Sequence, residues 1–122
     1  SGGFYLAGPN SVGPTFGFAT KGTVQSTVNA TGQYAPISAV LACSGDIAGD
    51  IASLRVNGVT MTSTQDQGAG NYGNYPLDIG SRAGTSLYFN GRIYSLIVRG
   101  AQSSLSQIEA TELYTKQKMR MP

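Results

Sequence analysis

The sequence predicts an all-β fold, an antiparallel β-sandwich closed by one short C-terminal α-helix. Three observations carry this. From Phe4 to about Arg99 the chain runs in short apolar or alternating stretches broken by Gly, Pro, Asn and Asp, the rhythm of strands and turns. Asn57-Gly58 sits between two such stretches, the strongest short-range hairpin signal. After Leu105 the pattern changes to a capped helical one.

The elements follow in order. Phe4, Tyr5, Leu6 and Ala7 form a first strand ahead of the turn Gly8-Pro9-Asn10. Residues 15–20 alternate aromatic with small side chains, placing Phe16 and Phe18 on one face. Lys21-Gly22 reads as a turn, and residues 24–29 as a polar, β-branched, partly exposed strand. Residues 36–43 are the most apolar run, which places them centrally, with Cys43 as a small buried hydrophobe. Residues 51–56 and 59–62 flank the Asn57-Gly58 turn, with Leu54 and Val56 on one face and Arg55 pointing outward. Residues 63–75 hold glycines and no aliphatic side chain larger than alanine, so they read as a surface loop. A short strand at 76–80, a turn at 81–86 and a long strand over 92–99 follow. Ser106 and Glu109 have the spacing of a capping box, and Leu105, Ile108, Leu113 and Tyr114 are positioned to pin the helix on the sheets.

Composition narrows the function. At 122 residues the chain suits one core, and residues 1–122 are read as a single domain. Ser1-Gly2-Gly3 resembles either a cloning remnant or a cut linker, and the second alternative would make the chain a fragment of a larger protein. No apolar run approaches a membrane span. Eight basic against six acidic residues give a net charge of +2, too weak a field for a nucleic-acid binder. Without histidine and with one cysteine, neither the usual nucleophilic triads nor a zinc site can be built. The two glutamates, Glu109 and Glu112, lie on the predicted helix, not on a strand face where a glycosidase pair would sit. A catalytic role is therefore not expected.

The ordered series Ile37 to Leu41, Leu54 to Val59, Leu77 to Arg82, Phe89 to Val98 and Leu105 to Ile108 resembles the second half of a laminin-G-like, concanavalin A-like jelly roll. Versions of this domain occur in phage tail and virion proteins and in bacterial surface proteins. The resemblance covers residues 36–117 and implies a jelly-roll topology. Relatives carry further strands ahead of the matched stretch. If these are missing here, an open edge or apolar face requires closure by self-association, as a homo-oligomer or within a larger assembly.

The loop supplies the candidate ligand-binding residues. Asn71, Tyr72, Asn74 and Tyr75 combine rings that stack on sugars with amides that donate and accept hydrogen bonds; the alternative is that these tyrosines pack over the rim. Asp46 and Asp50 bracket a turn and are the candidate calcium ligands that the resemblance suggests, or else simply cap that turn; no other cofactor is expected. Two functions fit: a non-catalytic carbohydrate-binding or host-receptor adhesion module at a virion or extracellular surface, or a structural module of a virion or filament without a soluble ligand.

Overall fold

The computed structural model describes residues 2–10 and 12–121. Strands β1 (Gly3–Ala7), β2 (Phe16–Lys21) and β3 (Gln25–Ala30) form one antiparallel sheet in that order. Strands β4 (Leu41–Asp46), β5 (Ile51–Val56) and β6 (Val59–Ser63) form a second. Helix α1 (Leu105–Lys118) follows. The protein is thus mostly β, with one C-terminal helix.

Period-two alternation decides which face of each strand is buried. Phe16, Phe18, Val28 and Ala30 from the first sheet meet Ala52, Leu54 and Val56 from the second in one cluster, with Ala39, Leu41 and Met61 packed at its margin. Burying each large aliphatic or aromatic side chain contributes about 1.5–3 kcal/mol. The Asn57-Gly58 hairpin forms as expected: both residues take positive φ, 50° and 87°, and Val56 pairs with Val59. Primed turns need that conformation at both central positions, which asparagine and glycine tolerate best.

The two sheets are offset. β3 lies over β5 and β6, and β2 lies over β5. β1 therefore overhangs the second sheet, whose last strand on that side is β4. As a result the inward-facing Phe4 and Leu6 remain half-exposed.

Several expectations are corrected. The apolar run at 36–43 is not a central strand, because β4 begins only at Leu41 and stands at a sheet edge. Pro36 has no N–H to give a ladder, and edges are where such residues are tolerated. Cys43 is not a buried hydrophobe: it reaches solvent at that edge. Its immediate surroundings nevertheless desolvate the thiol, which is pushed up to about 12 and stays protonated at neutral pH.

Residues 76–80 and 92–99 form no ladder. Gly80 takes a φ of 81°, which interrupts the first, and the second has no strand beside it. The helix cap also differs. Ser104, not Ser106, accepts the Gln107 N–H, while the Gln107 side chain accepts the Ser104 N–H. Gln107 fills the reciprocal position.

Arg55 does not point to solvent. It lies under α1, donating from Nε and Nη2 to the two carboxylate oxygens of Glu112 at 2.8 and 3.0 Å, and from Nη1 to Thr60 at 2.7 Å. This pair, with the partly buried Ile108, is where the helix meets the sheet; Leu105, Leu113 and Tyr114 are all more than half exposed.

Candidate functional site

β1, β2 and β3 turn their odd-numbered residues away from the core. Tyr5 pairs with Ala19 and Ala19 with Thr27, while Ala7 pairs with Gly17 and Gly17 with Asn29. Two rows thus cross the outer face, each with a small residue in the middle and larger ones at the sides. A shallow trough results. It has a volume of about 350 Å³ and extends under the 8–15 loop to Asn10 and Thr15.

The trough continues round the edge of the sheet. Thr27 and Asn29 also line a second open groove of about 560 Å³ between β3 and β6, shared with Met61, Ser63 and Gln65. Every side chain lining the two grooves is uncharged at neutral pH. Gly17 leaves room for the Asn29 amide over the floor: a Cβ at this position would lie 3.1 Å from Asn29 Oδ1, and the amide would have to give by a few tenths of an ångström. Asn10 Oδ1 accepts from the Val12 and Gly13 N–H groups at 2.8 and 3.0 Å. This Asx turn fixes the loop and leaves the Asn10 amide NH₂ as a donor.

The four loop residues singled out from the sequence lie elsewhere. Gly2 bridges Tyr72 in parallel, with Gly2 N–H donating to Asn71 O and Gly73 N–H to Gly2 O, both at 2.9 Å. The Tyr72 hydroxyl shares a 2.5 Å hydrogen bond with Thr20, which is fully buried. Its ring meets Phe4 edge-on at 5.5 Å. Gly45 of β4 leaves the space for the phenol, because a Cβ there would collide with the Tyr72 hydroxyl. Tyr72 therefore acts as a plug between the sheets on the overhanging side. Asn71, Asn74 and Tyr75 stay exposed on the rim, and none of the four lines either groove.

Removing the Tyr72 hydroxyl is expected to cost about 1–2 kcal/mol, since Thr20 would lose its partner in a buried position. Chemical denaturation of Tyr72→Phe measures this. An unchanged midpoint would show that the phenol carries no structural role.

The candidate calcium ligands serve backbone groups. Asp46 Oδ1 accepts the Gly49 N–H at 3.0 Å, and Asp50 Oδ1 accepts the Gln67 N–H at 2.8 Å. Among the described residues no group of three or more acidic, histidine or cysteine side chains is placed to hold a metal ion. Gln67 is fully buried, although composition marks its segment as a surface loop. Its amide donates to Asp46 O at 3.1 Å, and its backbone O accepts from Gly22 and Val24. This residue anchors the loop against both sheets.

The trough residues Tyr5, Asn10, Thr27 and Asn29 are absent from the sequence-derived set. Alternation could have found three of them, since Tyr5 opposes Phe4 and Leu6, and Thr27 and Asn29 oppose Val28. Their meeting on one face depends on strand pairing. Comparison with known protein families, curated proteins and solved structures found no match.

Proposed function

We propose that this domain is a non-catalytic carbohydrate-binding module of laminin-G-like, concanavalin A-like jelly-roll type. It serves adhesion to a host-surface receptor from a phage tail or other extracellular surface protein. The observation that carries this reading is the continuous, uncharged, hydrogen-bonding surface that wraps from β6 around β3 onto the outer face of β1. A sugar needs a flat apolar platform with directional donors and acceptors around it. Here the half-exposed Tyr5 ring is the platform, and Asn10, Thr27 and Asn29 surround it. The two antiparallel sheets and the C-terminal helix fit an all-β two-sheet domain, and the order of the matched sequence segments is what supports the jelly-roll assignment.

The test is a broad glycan array probed with the unaltered protein, with Tyr5→Ala and with the double variant Tyr72→Ala, Tyr75→Ala. Tyr5→Ala is expected to weaken binding about tenfold with little change in melting temperature, because the ring is half-exposed and lies outside the core cluster. The double variant is expected to lose stability through Tyr72. No binding by the unaltered protein sinks the glycan reading.

A purely structural role in virion or filament assembly is the second reading. It is favoured by the large apolar side chains at Leu87, Tyr88, Ile93, Leu96, Ile97 and Val98, all more than half exposed. Monomeric proteins seldom present so much contiguous apolar surface.

A further inference from the structure

Residues 92–99 are apolar on both alternating faces: Ile93 and Ile97 fall on one, Tyr94, Leu96 and Val98 on the other. A run that is apolar on both faces is the signature of a strand covered on both sides. Here it has no strand beside it, and those five side chains are between 52% and 66% exposed. The same chain also lacks a strand elsewhere. Among the described residues β4 ends the second sheet with no strand beside it, and β1 overhangs that edge with Leu6 48% exposed and Phe4 met only by the Tyr72 ring. Tyr72 already stands beneath Phe4 at the Gly45 end of β4, so a strand added beside residues 41–44 would lie beneath the far end of β1 and cover Leu6.

We propose that residues 92–99 of one copy add as a strand to the free edge of β4 in a second copy, and that the exchange is reciprocal. The dimer is closed and two-fold symmetric, so each chain both donates a strand and receives one, and no edge is left to propagate a fibre. The area fits this occupant. From these exposures, the five donor side chains with Leu6 offer about 650 Å² per chain, hence about 1,300 Å² over the pair, within the range of specific interfaces. Backbone pairing adds directional hydrogen bonds that fix the register. Gly91 and Gly100 stand at the two ends of the donor segment, where the chain must change direction to leave its own fold. The proposal is independent of glycan binding.

The test uses sedimentation and amide hydrogen exchange on the full chain. The unaltered protein is expected to sediment as a dimer at micromolar concentration, with the amides of residues 93–98 protected at least about tenfold more in dimer than in diluted monomer. Leu96→Pro removes a backbone donor inside the added strand and is expected to weaken dimerisation at least about a hundredfold. It leaves the melting transition of the two sheets in place, because these residues join neither sheet. If that variant does not fold, exchange on the unaltered chain decides alone. A monomer at micromolar concentration overturns the proposal, as does a dimer whose 93–98 amides exchange freely. Equal protection in monomer and dimer would show closure within one chain, and also overturns it.

Discussion

Replacing Glu112 with alanine is expected to destabilise the protein by about 2–4 kcal/mol, a large part of the ~5–15 kcal/mol that ordinarily keeps a domain folded. The Arg55 guanidinium is buried, and Glu112 meets it with both carboxylate oxygens. That contact, with its charge-assisted hydrogen bonds, raises the guanidinium pKa above its ordinary value. Without Glu112 a permanent positive charge stays under the helix with Thr60 and the more distant Glu109 at 3.8 Å. The magnitude sits below that of a deep core ion pair because only one helix covers it. A double change of Arg55→Met and Glu112→Leu is expected to recover most of the loss, since it removes the unpaired charge and the desolvation cost together. Denaturant midpoints of the three variants check this. Equal losses in single and double variants would mean that the pair itself, and not the stranded charge, dominates.

Leu54→Ala is expected to cost about 2–5 kcal/mol. Leu54 is fully buried where β5 faces both β2 and β3. Two sheets cannot close easily over the cavity left by a missing isobutyl group, because each is tied by its own ladder. Val59→Ala is the control: Val59 is 65% exposed beside the hairpin turn, and its loss should stay within about 0.5 kcal/mol. Thermal melts followed by circular dichroism separate the two. Similar shifts for both would show that the face assignment of β5 is wrong.

Features set by neighbouring residues were legible in the sequence. The Asn57-Gly58 turn depends on the backbone preferences of two residues, and the burial of Phe16 and Phe18 follows from alternation. Arg55 was misread because alternation puts it opposite Leu54, on the side that is solvent in an open sheet. Its partner lies 57 residues later, on a helix whose docking no local pattern states. For Tyr72 the sequence left two readings, stacking on a sugar or packing over the rim, and only Thr20 and Gly45, brought together by the stacking of the sheets, show its phenol filling a gap. The trough was missed for a related reason. Tyr5, Thr27 and Asn29 come from different strands, and their convergence depends on register. Residues 92–99 carry strand chemistry with no strand partner among the described residues, so their composition announces a sheet that those residues do not supply.

The central claim, that ligands meet the outer face of the first sheet, is tested most directly by titrating a labelled sample with an array-positive glycan and following backbone amide shifts. The largest changes are expected on residues 5, 10, 17, 27 and 29, with little at residues 71–75. Changes centred on Asn71, Asn74 and Tyr75 while the strand amides stay still would contradict it.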